Sequence, residues 1–462
     1  MPGKIFAVVG NPILHSKSPE MFNAAFKKLK INAIYIRIAA FDAEEVMRTA
    51  DDIGLCGLNI TSPFKEELKK KMRVSNSLNT LINTIIIDKN AREIDAINCI
   101  ICKNDPKSKC PKKQLLVGYN TDVAGVIGAL KHNSCDFVGK KIIVLGAGGA
   151  AKAAIYALVS KKADVVVVNR TFKKAKKLAQ RFGCRVSKFD EIAQELEHAN
   201  ILISCVPTGE RIIPKSALRK TLSVLDANYS IDTALKKDAK SNNCKIIDGR
   251  EWLLFQAIPC FKYFIGKKAP VAAMRKVLYS KKKRKKNIAL IGFMGSGKTA
   301  VAKELATLNG MKSVDIDANI EKNMNMKIAQ IFEDMGEREF RKIENAELKK
   351  ALESENAIIS CGGGLVLDPR NVDMLKRDCT VFWLWADITT IMERISKDDS
   401  RPLIRTKNKG DLKTKIEIAK KILEQRLFVY ANACDALINT VGKKPKEIAA
   451  RIDYEINEIN KA

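Results

Sequence analysis

Short apolar runs alternate along almost the whole chain with stretches whose apolar positions recur at helical spacing. The early runs are residues 5–9, Lys141–Leu145 and Asp164–Val168; the later ones are Asn287–Ile291, Ala357–Ser360 and 381–385. Runs of about five residues without polar alternation read as strands buried on both faces, and their alternation with helical stretches predicts parallel α/β sheets. No repeat of solenoid length interrupts this rhythm. What interrupts it is the run Lys281-Lys282-Lys283-Arg284-Lys285-Lys286. Its like charges repel one another, which favours a solvated connector between two folded parts over a packed element.

Length changes the picture only by allowing two or three domains in 462 residues. A content of 46% hydrophobic and 29% charged residues is that of a globular protein. The apolar start stops at Gly10-Asn11-Pro12 without a small-residue cleavage pattern, so it reads as a first strand. A cytoplasmic protein with no membrane partner is the resulting expectation. Twelve scattered cysteines fit a reducing compartment. Cys99 and Cys102 form a C-x-x-C pair, but Ile100 and Ile101 between them point to strand core, not to a metal site. The formal charge of +30 raises the question of a polyanion. Its lysines are spread along the chain, aromatics are only 6%, and no nucleic-acid module is visible. The charge therefore suits an enzyme handling small anions, with no specific nucleic-acid partner; oligomeric state is not legible.

Candidate chemistry begins after the basic run. The strand-like Asn287–Ile291 leads into Gly292-Phe293-Met294-Gly295-Ser296-Gly297-Lys298-Thr299 and then a helical stretch. Glycines let backbone N–H groups approach phosphate oxygens, and the following helix N-terminus adds a favourable field. In such a loop Lys298 reaches the β/γ-phosphates of ATP and Thr299 helps hold Mg²⁺, with Gly295, Ser296 and Gly297 forming the cradle. Downstream lie Asp315-Ile316-Asp317, the stretch 336–344 with Arg341, Gly362-Gly363-Gly364, Arg401-Pro402-Leu403 and Arg426. In this order the set resembles shikimate kinase, over residues 287 to about 455. The resemblance implies a P-loop α/β kinase that phosphorylates the 3-hydroxyl of shikimate. It also implies that Asp317 orients the attacking hydroxyl and that Arg341 and Arg426 grip the carboxylate. Gly362, Gly363 and Gly364 would line the same pocket, and Arg401 would be the lid arginine over the phosphoryl group. Asp315 would lie near the metal and Arg394 near the adenine. Asn325 departs from the glycine usual in the family; asparagine tolerates the left-handed conformation, so little effect is expected.

In the first part, Lys141–Leu145 runs into Gly146-Ala147-Gly148-Gly149-Ala150-Ala151, a G-x-G-x-x-A turn that opens a helix. The next strand, Asp164–Val168, ends in Asn169-Arg170-Thr171. An acidic residue there would hold the ribose diol of NAD, whereas Arg170 offers a cation to the 2′-phosphate of NADP, with Lys174 a second. Further motifs are residues 10–19 with Ser16 and Ser18, residues 59–65 with Thr61 and Lys65, Asn98, residues 118–122 with Asp122, and Gln256. Together they resemble shikimate dehydrogenase over about the first 275 residues. The resemblance implies NADP(H)-linked reduction of 3-dehydroshikimate to shikimate. Lys65 and Asp122 would be the catalytic pair, the carrier of the proton being left open. Ser16, Ser18, Thr61, Lys65, Asn98, Asp122 and Gln256 would bind substrate, Tyr229 being a further candidate, while Gly249 would join the cofactor site. His15 is read as structural. Cys99, Cys205 and the missing proline after Tyr229 depart from the family pattern.

Because Gln256 returns to the substrate shell, that domain is expected to be discontinuous, residues 1–124 and 247–280, around a Rossmann-type NADP domain at 125–246. A linker at 281–286 and a kinase domain at 287–462 complete the expected order. Three rival readings stand beside a two-step enzyme: an NAD-linked quinate/shikimate oxidoreductase fused to the kinase, a regulatory protein of inactive modules, and a nucleic-acid-associated ATPase. Arg170 opposes the first. Retention of Lys65, Asp122, Lys298, Asp317 and Arg341 opposes the second.

Overall fold

A computed structural model describes residues 3–74, 82–104, 114–280, 285–395 and 412–460. The chain forms two compact units, one of residues 1–14, 32–55 and 281–460, the other chiefly of residues 15–31 and 56–280.

In the first unit, Asn287–Ile291 is the middle of a parallel sheet. Ala357–Ser360 and then Lys312–Asp315 lie on one side, with Cys379–Trp385 and then Ala436–Asn439 on the other. Ile288, Ala289, Leu290 and Ile291 are all buried, as a strand covered on both faces requires. The apolar run expected over 381–385 starts two residues earlier, at Cys379. Ala436–Asn439 is continued by Ala33–Ala39, with Leu437 opposite Ile38, and Ala33–Ala39 by Lys4–Gly10, all parallel. Side chains reinforce this junction. Arg37 Nη1 donates to the Asp435 carbonyl at 3.2 Å, Asn439 Nδ2 to Thr49 Oγ1 at 2.7 Å, and Lys443 Nζ stands 2.7 Å from Glu45 Oε2. The compact units thus cut across the expected domains, since a strand edge left open is a free pairing surface and here the N-terminal strands close it. The basic run also differs from a wholly solvated connector. Lys285 pairs with Asp435 at 2.8 Å and Lys286 with Glu355 at 2.5 Å, while residues 281–284 lie outside the described residues.

The second unit contains a six-stranded sheet in the order Lys245–Asp248, Ser223–Asp226, Ile201–Ser204, Lys141–Leu145, Asp164–Val168, Arg185–Ser187. Every pairing is parallel. Successive side chains face opposite sides, so Ile142, Val144, Val165 and Val167 enter one core, and Ile143, Leu145, Val166 and Val168 the other. The strand order reverses between Lys141–Leu145 and Ile201–Ser204, which opens a crevice at their C-terminal ends.

The other strands of this unit correct the purely parallel expectation. Cys99–Asn104 pairs antiparallel with both Gly57–Ile60 and Gln114–Tyr119, and only Ile82–Ile87 joins Gln114–Tyr119 in parallel. Cys99 is fully buried there, as strand core. Helix Asp122–His132 packs on helix Gly249–Ile265 through glycine. A Cβ on Gly125 would lie 2.4 Å from Trp252 Cδ1, and one on Gly128 2.5 Å from Phe255 Cγ. That close approach brings Asp122 and Gln256 to one place.

Candidate active sites

One candidate site forms where three helix starts and a strand end meet. Lys65 opens helix Lys65–Val74 and Asp122 opens helix Asp122–His132. Their side chains form a 2.5 Å ion pair, exposed 17% and 9%. Such shielding strengthens the pair relative to a surface one and orients the ammonium. Behind it runs a buried network. Asn98 Nδ2 donates to Thr121 Oγ1 at 3.0 Å, the Thr121 amide donates to Asn98 Oδ1 at 2.8 Å, and Thr121 Oγ1 donates to Gln256 Oε1 at 3.2 Å. Asn120 Oδ1 accepts the Asp122 amide at 3.1 Å, and Asn59 Nδ2 donates to the Asn98 carbonyl at 3.0 Å. The structure therefore joins Lys65, Asp122, Asn98 and Gln256, and adds Thr121, Asn120 and Asn59 as their supports.

Ser16 and Ser18 are buried, and the Ser18 amide donates to Ser16 Oγ at 3.4 Å. Helix Ser18–Lys28 is held on the Gln256 helix by Phe22 against Phe261 and Phe264, with ring centroids 6.2 and 5.8 Å apart. Tyr229 stands 6.5 Å from His15, ring centroid to ring centroid. Thr61 sits in the turn before Lys65, its carbonyl accepting the Phe64 amide at 3.1 Å. The departure at Cys99 is absorbed in the core: its thiol hydrogen-bonds Cys260, and burial pushes it well above the ordinary thiol range.

The glycine turn lies against this site. A Cβ on Gly149 would be 3.4 Å from Lys65 Cδ, so the lysine stem passes the turn closely. Gly146 has φ +121° and Gly148 faces open space. Helix Gly149–Val159 has no side-chain cap and no acid in its first turn, leaving backbone N–H groups for an anion. Ala147 and Ala150 complete that turn. Arg170 and Lys174 are exposed, while Asn169 Nδ2 donates to the Thr171 carbonyl at 3.1 Å and so shapes the turn beside them. Gly249 is required by the backbone: its Cβ would come 2.4 Å from the Asp226 carbonyl oxygen. These features fit a dinucleotide carrying a 2′-phosphate.

In the other unit the phosphate loop follows Asn287–Ile291. Gly295 and Gly297 have φ +71° and +92°, and a Cβ on Gly292 would strike the Leu384 carbonyl oxygen at 2.5 Å. Lys298 bridges the loop, its Nζ donating to the Gly292 and Phe293 carbonyls at 3.0 and 2.9 Å. Ser296 Oγ is buried with no partner among the described residues, and helix Lys298–Asn309 again lacks a side-chain cap. Thr299 Oγ1 donates to Asp315 Oδ2 at 2.7 Å, a pair of hard oxygen donors of the kind Mg²⁺ takes. These residues fit a nucleotide phosphate chain with its metal ion. Arg394 braces the loop instead of standing free, donating to the Gly295 carbonyl at 3.2 Å and the Thr440 carbonyl at 2.8 Å.

Beside the loop lies a pocket of charged groups against bare backbone. A Cβ on Gly362 would meet Asp317 Oδ1 at 2.6 Å, and one on Gly364 would meet Arg341 Nη2 at 2.5 Å, so glycine there makes room for both side chains. Arg341 Nη1 donates to Glu344 Oε2 at 2.7 Å and Nη2 to Glu337 Oε1 at 3.0 Å. Burial lifts the Glu344 carboxyl to about 7 against the lowering pull of Arg341. Gly363 offers its carbonyl to Tyr430 at 2.5 Å and to Arg426 at 3.4 Å. Asp317, Arg341, Arg426 and the three glycines are thus together, and Glu344 and Tyr430 join them. Glu344 was signalled by its place one helical turn after Arg341. Tyr430 had no local signal, since it comes from packing against Trp383, centroids 5.6 Å apart. Arg401 lies outside the described residues. Asn325 has φ +52° at the end of helix Ile316–Met324, the left-handed position anticipated.

Residues 8–100 match the family model for the shikimate dehydrogenase substrate binding domain, residues 129–246 that for shikimate/quinate 5-dehydrogenase, and residues 294–457 that for shikimate kinase. A relative described as shikimate dehydrogenase (NADP(+)) from Pyrococcus abyssi is 36% identical over 282 residues, covering 59% of this chain and 97% of its own. One from Natronomonas pharaonis is 33% identical over 284 residues, covering 60% and 98%. Among solved structures, a shikimate dehydrogenase from Aquifex aeolicus superposes with a TM-score of 0.52 at 31% identity, covering 60% of this chain and 98% of that one. A shikimate dehydrogenase in complex with NADP+ gives 0.52 at 30% identity, covering 61% and 96%. The chain belongs to the shikimate dehydrogenase family, and its C-terminal segment carries a shikimate kinase domain.

Proposed function

We propose that the chain is a bifunctional enzyme of the shikimate pathway, which reduces 3-dehydroshikimate to shikimate with NADPH and phosphorylates shikimate to shikimate 3-phosphate with ATP. The observation that carries this reading is the joining of two complementary sites on one chain. One is the 2.5 Å Lys65–Asp122 pair beside a dinucleotide turn; the other is a phosphate loop beside Asp317, Arg341 and Arg426. The domain division that goes with it is residues 1–124 with 247–280 for substrate, 125–246 for NADP, 281–286 as linker and 287–462 for the kinase.

When bound, NADPH supplies the hydride for the carbonyl carbon. The carbonyl oxygen gains negative charge and needs a proton, which the Lys65–Asp122 pair is arranged to supply. Asp122 fixes that ammonium, and the Asn120 hydrogen bond to the Asp122 amide fixes the start of its helix. Asn98, Thr121 and Gln256 form a pre-organised polar wall for ring hydroxyls, with Ser16, Ser18, Thr61 and Tyr229 completing the shell. Arg170 and Lys174 hold the 2′-phosphate that separates NADP from NAD.

In the kinase site Arg341 and Arg426 bind the shikimate carboxylate, for which the planar guanidinium is suited. Asp317 orients the 3-hydroxyl. Lys298 and the loop amides would hold the phosphates, and Thr299 and Asp315 would hold Mg²⁺, which would offset phosphate charge; Arg401, the lid candidate, lies outside the described residues, and positioning and charge supply most of the catalysis. A cytoplasmic location and small-molecule partners belong to the same reading. Among the described residues no helix is long and apolar enough to cross a membrane.

The test is a coupled assay on the purified chain. NADPH oxidation with 3-dehydroshikimate and shikimate-dependent ADP release should both appear, with NADP preferred over NAD and shikimate over quinate. Absence of either activity would remove that half of the reading.

A further inference from the structure

The C-terminal helix Pro445–Asn460 belongs by sequence to the kinase, yet its polar face is spent on the chain's first loop. Glu455 is fully buried, and its Oε2 accepts both the Ile13 and the Leu14 amides, each at 2.8 Å. Its Oε1 accepts Arg451 Nη2 at 2.8 Å. Arg451 in turn donates Nη1 to Asn11 Oδ1 and Nη2 to the Gly10 carbonyl at 3.4 Å. Four of the five positions from Gly10 to Leu14 are therefore addressed by a single buried ion pair: Gly10 and Asn11 by the cation, Ile13 and Leu14 by the anion. Carboxylate bonds to backbone N–H groups are among the stronger hydrogen bonds, and removing the acceptor strands two buried donors.

The segment so held leads directly to substrate residues. Leu14 precedes Ser16 by two residues, at most about 7 Å of extended chain, and Ser18 by four. Little slack separates the clamp from the serines. We infer that Glu455, with Arg451, is a positioning residue for the oxidoreductase reaction: a kinase-domain carboxylate that sets the Ser16/Ser18 loop for substrate. The inference rests on the assignment of Ser16 and Ser18 to the shikimate shell.

The experiment uses the full chain and the near-isosteric Glu455→Gln. One amide group cannot present acceptors to both Arg451 and the two backbone N–H groups, so the clamp is broken without a cavity. The expected result is a rise of about tenfold in KM for shikimate in NADP+-linked oxidation, equivalent to about 1.4 kcal/mol. KM for NADP+ and the kinase kcat/KM should stay within about twofold, since neither site is touched. Amide exchange at Ile13 and Leu14 should quicken in the variant, and Glu455→Ala should produce the same pattern more strongly. Unchanged exchange at those amides, or a wild-type KM for shikimate in Glu455→Gln, overturns the inference. So does a parallel loss of all three parameters, which would show a general role in stability. A wild-type chain inactive toward shikimate would instead sink the functional reading, and the exchange measurement would still judge the clamp.

Discussion

Glu344 is a residue of the kinase pocket whose setting moves it far from its ordinary chemistry. Burial raises its carboxyl from near 4.5 to about 7, while Arg341 pulls the other way. Because the folded-state value is the higher one, the protonated form is favoured in the fold. The contribution to stability is fully present below about pH 4.5 and is lost as pH rises through about 7. Thermal melts of the wild type and Glu344→Gln should therefore show the wild type gaining on the variant as pH is lowered from about 8 to about 5. A pH-independent difference would mean that Arg341 holds Glu344 ionised throughout. Gly364 gives a second residue-scale test. A Cβ there would overlap Arg341 Nη2, and a long guanidinium side chain moves at little cost to the fold. Gly364→Ala should raise KM for shikimate in the kinase assay about tenfold, with NADP-linked activity unaltered. That Lys65 meets Asp122, and that Arg341 lies against Gly364, could be anticipated from motif. The network behind them could not, because Thr121, Asn120 and Tyr430 owe their places to backbone geometry and packing, which local sequence does not display.

At the scale of elements, two strands of the six-stranded sheet were legible, because Lys141–Leu145 and Asp164–Val168 are apolar runs that feed two cores, whereas the short Arg185–Ser187 carries no such run. The antiparallel strands were harder. Cys99–Asn104 and Gln114–Tyr119 carry no pattern that reports direction, which is set by pairing partners far along the chain. The turn after Asp164–Val168 carries the expectation about cofactor choice, through the exposed Arg170. Arg170→Ser should raise KM for NADP+ by about tenfold and leave KM for NAD+ within about twofold, since only a 2′-phosphate loses a partner. Equal effects on both would mean that Arg170 does not face the ribose. Helix packing makes a separate prediction. Gly125→Ala would push a methyl into the Trp252 ring, and the ring is rigid and buried. Overpacking of this kind should cost about 1–3 kcal/mol, read as an earlier unfolding of the oxidoreductase unit in a thermal melt.

At the scale of the whole molecule, the order of modules was legible and their physical partition was not. The basic run separates two well-patterned regions in sequence, but Ala33–Ala39 closes the sheet edge at Ala436–Asn439, and Glu455 grips the first loop. The contacts of Glu455 join residues more than 400 positions apart, a separation that no window of sequence can register. The central claim is that two separate sites catalyse consecutive reactions, so that the product of Lys65 and Asp122 becomes the acceptor at Asp317. It is tested most directly in one vessel containing 3-dehydroshikimate, NADPH, ATP and Mg²⁺, with ADP release as the readout. Wild-type chain should release ADP only when NADPH is present. Lys65→Ala should release none from 3-dehydroshikimate yet respond fully to added shikimate, while Lys298→Ala should oxidise NADPH and release no ADP. ADP release from 3-dehydroshikimate without NADPH, or loss of the response to added shikimate in Lys65→Ala, would contradict the account.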